Sequence, residues 1–442
     1  MRGAPCYFLS KHLTPKRRAP MTLPHDYRFH VLDNGLRVAT ERICDAQSVS
    51  FGIWIEAGSR HEGRGQEGMA HLWEHLAFKG TATRSALHIA KSLDMLGGHS
   101  NAYTSREHTC FHARVRDIHL EAALDILSDI VLSPKPSDED FGREKDVVLQ
   151  EIAMVEDDPE ESLMDAFWTA IWPDSPAGHP ILGIPDTVRA FTLANMRNWR
   201  ATHYRPSRIL VAGAGSLDHE RFQAMVQKRF GGLEPGGALP VHRPDSYCPA
   251  TLFTRRDIEQ THVALCFPGL SARDERRFAL SILNAVLGGT MSSRLFQEVR
   301  ERRGLAYSVY SFVSSLADAG ALQIYAAVDP QRTGELLACI KDELDRLAGC
   351  GIMQEELEHA RDHMLSVLYL SLEASEDRMS RLARNQLTFG RYVPPRESAA
   401  RFEAVTLEEV RALAAALLHP GQAGLAVLGP VIDPGFGEIF RP

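Results

Sequence analysis

Two stretches of the chain, one near its middle and one near its end, follow the same pattern. TLANMRNWRATHYRPSRILVAGAG begins at Thr192 and TLEEVRALAAALLHPGQAGLAVLG begins at Thr406. In both, Thr-Leu is followed by an arginine (Arg197, Arg411), then a proline (Pro206, Pro420), then an apolar run ending in glycine. A threonine ahead of the first segment, a proline after it and an apolar run beyond predict helix, turn, strand. Between the copies lies GGLEPGGALP, residues 231–240, a glycine- and proline-rich linker. A unit that recurs at the end of each half restricts the fold to two copies of one α+β domain. The expected division is a basic tail over 1–24, a first domain over 25–230, the linker over 231–240 and a second domain over 241–442.

Other segments fit this frame. YRFHVLDNGLRVATERI alternates around Asp33-Asn34-Gly35 and predicts a hairpin; VSFGIWIEAGSR from Val49 and HTCFHARV from His108 predict strands. Helices are predicted over Gly68–Phe78, ahead of Gly80, over Ser85–Leu96, ahead of Gly97-Gly98, and over Asp138–Val155. Gly288-Gly289 lacks the lysine and spacing of a phosphate-binding loop and is expected to form a mobile loop. The acidic run Glu156–Glu161 is expected at a solvated helix junction, where it could also attract basic peptides.

Composition excludes several classes. With a formal net charge of -8 the chain lacks the basic face of a nucleic-acid binder. Seven scattered cysteines without a CxxC argue against a disulfide scaffold and for a reducing compartment, with the cytoplasm as the expected location. No apolar run is long enough for a membrane span. The first twenty residues are basic and free of acid, as a transit peptide to an organelle matrix would be; a disordered tail or a start at Met21 are the plainer readings.

The chemistry concentrates in HLWEH, residues 71–75. On a helix, residues four apart lie one turn apart on one face, so His71 and His75 can reach one ion, and Glu74 leans towards the same side. Two imidazoles and a carboxylate suit Zn²⁺, and the order is the inverted HxxEH form of the HExxH signature. The alternative is a buried helix that happens to carry two histidines. A catalytic zinc needs a third protein ligand. EKDVVLQE offers Glu144 and Glu151 two turns apart, on a face expected to include Val147 and Val148; a solvated helix edge is the competing account.

HLWEHLAFKGT, GGHSNAYTSREHT, EKDVVLQEIAMVED and, in the second half, LGGTMSSRLFQEVRERRGLAYSVYS occur in the order found in peptidase family M16, the pitrilysin and processing-peptidase family. The sequence resembles its short bacterial and mitochondrial members from about residue 25 to the C-terminus, with Trp73 where relatives carry a smaller apolar residue. The resemblance implies two domains, each a mainly antiparallel sheet with helices packed on it. It implies a zinc endopeptidase with one Zn²⁺ per chain, held by His71, His75 and Glu151, and Glu74 as general base for the attacking water. Glu144 would support the site. Asn101 and Ala102 would offer a strand edge to the substrate. Arg300 and Tyr307 would hold substrate backbone or the oxyanion. It further implies peptides or unfolded segments as substrates, and a homodimer, or a heterodimer with a related chain, whose zinc sites face the partner's Arg–Tyr pair. Relatives that serve as scaffolds of a respiratory complex supply the non-catalytic alternative.

Overall fold

The computed structural model describes residues 26–173, 175–236, 246–431 and 435–440. The basic N-terminal segment and the last four residues of the linker, 237–240, lie outside the described residues. The first half forms six strands, β1 (Asp26–Val31), β2 (Arg37–Arg42), β3 (Ser48–Ile55), β4 (His99–Thr104), β5 (Thr109–Arg116) and β6 (Ile209–Gly215), in the order β1-β2-β6-β3-β5-β4. The second forms β7 (Thr251–Arg255), β8 (Thr261–Pro268), β9 (Ala306–Ser315), β10 (Gly320–Val328) and β11 (Gly424–Gly429), in the order β7-β11-β8-β10-β9.

The duplication is visible in these orders. In each half the last strand inserts beside the first strand of the shared unit, parallel to it (β6 on β2, β11 on β7) and antiparallel to the next (β3, β8). All other pairings are antiparallel. The strand β1 is extra to the first half, the outer arm of the predicted hairpin, with Gly35 at φ +90° in its turn. The repeated helix-turn-strand begins the same way in both copies. Thr192 and Thr406 each accept from the backbone N–H three residues on, and Asn195 and Glu409 reach back to the N–H of the threonine. Pro206 and Pro420 each open the short 3₁₀ turn that follows.

Each sheet is covered on both faces, which explains strands that are apolar along most of their length, such as SVSFGIWI in β3. One face packs on helices of its own half: Phe51, Ile53 and Val211 meet Leu72, Leu124 and Phe222, and Leu265, Ile324 and Val427 meet Leu336, Leu347 and Leu413. The other face is covered by a helix from the opposite half. The helix Pro159–Ile171 leaves the first half and buries Leu163, Phe167 and Ile171 against Ala264, Cys266 and Leu428 of the second sheet. The helix Ser375–Phe389 does the reverse, burying Met379, Leu382 and Ala383 against Ala39, Trp54 and Ala212. A buried ion pair, Arg378 Nη1 to Glu41 Oε1 at 3.1 Å, ties the latter helix to β2.

Two expectations are corrected. Val147 is 42% exposed; the inner face of the long helix is Phe141, Glu144, Val148 and Ile152, and Val147 turns outward because adjacent residues stand about 100° apart around a helix. Gly288-Gly289 is a packed π-helical turn (Ala285–Gly289) rather than a mobile loop: a Cβ on Gly288 would stand 2.6 Å from the backbone nitrogen of Ser311 in β9. The acidic run does form a helix junction, with Asp158 capping the helix that starts at Pro159.

Candidate metal centre

HLWEH lies on the helix Met69–Ala77, whose apolar face (Leu72, Trp73, Leu76) enters the core of the first half. Gly68 caps it at φ +100° and provides no side chain. The cap comes instead from Glu62, fully buried in the preceding loop, whose carboxylate accepts the N–H of Gly68 (2.9 Å) and of Ala70 (2.7 Å). Burial pushes the pKa of Glu62 up, and the helix N–H donors pull it back. A carboxylate at a helix N-terminus also complements the helix dipole. Nothing in the local spacing of the sequence signals this contact.

The long helix Asp138–Asp157, started by a Ser137–Asp140 capping box, packs across the HLWEH helix. It presents Glu151 to both histidines: Oε2 lies 3.6 Å from His71 Nε2 and 3.4 Å from His75 Nε2. The two rings stand 4.6 Å apart at an angle of 65°. One atom from each of His71, His75 and Glu151 falls within 4.8 Å of the others, and among the described residues this is the one His/Cys/Asp/Glu group that close. The Glu151 side chain as a whole is partly exposed, yet its Oε2 is buried and has no hydrogen-bond partner. Burial, with His75 alongside, pushes the pKa of His71 down to about 3, so this imidazole is neutral near pH 7. Two imidazoles facing a buried carboxylate oxygen without a hydrogen bond are the donor set that a borderline cation such as Zn²⁺ takes. The residues present therefore fit the metal.

Glu144 is outside the triangle. It is buried, with Oε2 3.3 Å from His75 Nδ1 and Oε1 2.8 Å from Lys79 Nζ. It accepts from the back of the His75 ring, which leaves Nε2 free to face Glu151. Glu74 is not one of the three grouped residues, and its carboxylate accepts a hydrogen bond from Thr104 at 2.6 Å. Burial holds its carboxyl above the ordinary range, and the Thr104 hydroxyl opposes that shift.

Thr104 ends β4, the outermost strand of the first sheet, so Asn101 and Ala102 lie on an edge with one side unpaired in the sheet. Asn101 is exposed and its Oδ1 accepts the N–H of Ala102 (2.9 Å). Arg300 and Tyr307 are joined to each other: the guanidinium lies 4.4 Å from the Tyr307 ring centre and 4.8 Å from that of Phe296. Tyr307 is 76% exposed. Among the described residues no hydrogen bond, ion pair or ring contact links this pair to the histidines or Glu151.

Fold and centre define a class: a duplicated α+β chain with an inverted histidine motif facing a glutamate helix. The profile described as "Insulinase (Peptidase family M16)" matches residues 37–184, and that of the "Peptidase M16 inactive domain" matches 190–364. An uncharacterized zinc protease of Mycobacterium leprae is 43% identical over 404 residues, 90% of this chain and 91% of that one. The uncharacterized zinc protease YmxG of Bacillus subtilis is 39% identical over 402 residues, 91% and 98% of the two chains. The chain belongs to peptidase family M16. A protease from Helicobacter pylori has the same fold, with a TM-score of 0.87 at 22% identity over 92% of this chain and 100% of that one. A chain of Complex III2 from Candida albicans shares it at a TM-score of 0.81, 18% identity and 93% and 99% coverage. No described helix is long and apolar enough to cross a membrane.

Proposed function

We propose that this chain is a zinc-dependent endopeptidase that cleaves peptides or unfolded protein segments. The observation that carries the reading is the convergence of His71, His75 and Glu151, with Glu151 Oε2 buried and without a hydrogen bond. Zn²⁺ held by these three residues would supply Lewis-acid activation of water and of a peptide carbonyl. The rest is the work of the chain. Glu74, one residue before His75 and oriented by Thr104, accepts the proton of the attacking water and passes it to the leaving amine. Its buried setting keeps the carboxylate basic for that role. The free side of β4 at Asn101 and Ala102 takes the substrate as an added strand, held by its main chain and not by its sequence.

Arg300 and Tyr307 supply donors to substrate backbone or to the developing oxyanion. In a homodimer they would serve the centre of a second copy; among the described residues their ring contacts are to each other and to Phe296. The relatives called zinc proteases favour this reading over a scaffold role, the alternative suggested by likeness to a Complex III2 chain. A chelator should abolish cleavage of an unstructured peptide by the purified chain, and added Zn²⁺ should restore it. A folded chain that neither cleaves nor takes up zinc would support the scaffold.

A further inference from the structure

We propose that Lys79 is a positioning residue of the metal centre, holding Glu144 behind His75 so that His75 presents its other nitrogen to the ion. The inference rests on the zinc reading above and adds a residue to it. Glu144 is 6% exposed, and a buried carboxylate without a compensating charge is costly. Its two oxygens divide the labour: Oε2 faces His75 Nδ1 at 3.3 Å, and Oε1 faces Lys79 Nζ at 2.8 Å. Lys79 is thus the charge that lets a buried carboxylate sit behind the ligand.

The lysine is itself well placed. It stands one helical turn beyond His75, just past the helix end, where its N–H donates to Leu76 O at 3.1 Å. The next residue, Gly80 at φ +125°, has its carbonyl engaged by the N–H of Lys135 at 2.8 Å. A third of the Lys79 side chain is open to solvent. The competing account is an ordinary half-exposed ion pair, worth about 0–1 kcal/mol and without effect on the metal.

The two accounts differ in what they predict for the ion. Outer-shell partners of a metal-bound histidine typically govern affinity by about 10–100-fold. Zinc affinity is measured by competition with a chelator on the purified full chain as wild type, Lys79→Met, Lys79→Arg, Glu144→Gln and the Lys79→Met/Glu144→Gln double variant. Co²⁺ absorption is recorded on the same proteins, and thermal melts check the fold. The expected result is one zinc per wild-type chain, affinity about 10–100-fold weaker in Lys79→Met with an altered cobalt spectrum, and recovery in Lys79→Arg. The double variant should be no weaker than Glu144→Gln, because Lys79 acts through that carboxylate. Wild-type affinity and spectrum in Lys79→Met would overturn the role of Lys79 while leaving the zinc reading intact. A double variant weaker than both single variants would overturn the route through Glu144. A wild-type chain without zinc affinity would overturn the zinc reading and this proposal together.

Discussion

At the scale of single residues, burial governs protonation in the loops around the centre. His61 accepts the N–H of Gly58, and its ring lies 6.4 Å from that of His203, which contacts Arg208. Burial, then Arg208, His203 and Arg60, push the pKa of His61 down to about 3. Burial and Arg208 push that of His203 down to about 4. Both values lie below the unfolded value of about 6.5, so the unfolded chain binds more protons at mildly acidic pH. The stability that these neutral imidazoles contribute is fully present above about pH 6.5 and is lost as pH falls towards 4 and 3. Urea melts should show a midpoint that drops from pH 7 to pH 5, and replacing both histidines by glutamine should flatten the drop. An equally steep drop in the double variant would assign it to other groups.

At the scale of elements, the helix Met69–Ala77 depends on a cap that it does not encode itself. Glu62→Ala would leave two N–H groups without their charged acceptor, at about 1.5–3 kcal/mol for each such bond. The expected loss is about 3 kcal/mol in chemical denaturation, with weakened zinc uptake; a loss below about 1 kcal/mol would mean that water replaces the carboxylate. Glu62 also shows where reading the sequence stops. The helices carrying His71, His75 and Glu151 are legible because periodicity is local, and their pairing followed from the order of motifs shared with the M16 family. The Glu144 contact to Lys79 and the Thr104 contact to Glu74 join residues 65 and 30 positions apart, and no local pattern announces them. The expected face holds both Val147 and Val148, which is too wide, since neighbours on a helix stand about 100° apart and the packing against the first half selects Val148 alone. The repeat at Thr192 and Thr406 announces two copies of one α+β domain but gives no sign that each half lends a helix to the other.

At the scale of the whole molecule, that exchange makes the halves interdependent. The first sheet without Ser375–Phe389, or the second without Pro159–Ile171, would expose Trp54 and Ala212 or Ala264 and Leu428 to water. A further clasp reinforces the junction. Arg60, buried in the short turn ahead of the HLWEH helix, pairs with Glu107 in the turn between β4 and β5 and with Asp318 in the turn between β9 and β10; Glu107 also accepts the N–H of Ala317. The strand edge that would receive substrate is thus tied to the second half. Phe167 lies in the first half of the sequence and the second half of the fold, and Phe167→Ala should cost about 3–5 kcal/mol. Its denaturation should remain a single transition seen alike by tryptophan fluorescence and circular dichroism. Two separated transitions would contradict the interdependence.

The central claim is that the His71–His75–Glu151 triangle holds zinc for Glu74 to work beside. The most direct test is metal content and peptide cleavage on the same purified samples, wild type beside Glu74→Gln. One zinc per chain in both, with cleavage lost by several orders of magnitude only in Glu74→Gln, is the predicted result. Cleavage that survives in Glu74→Gln, or a folded wild type that takes up no zinc, would contradict it.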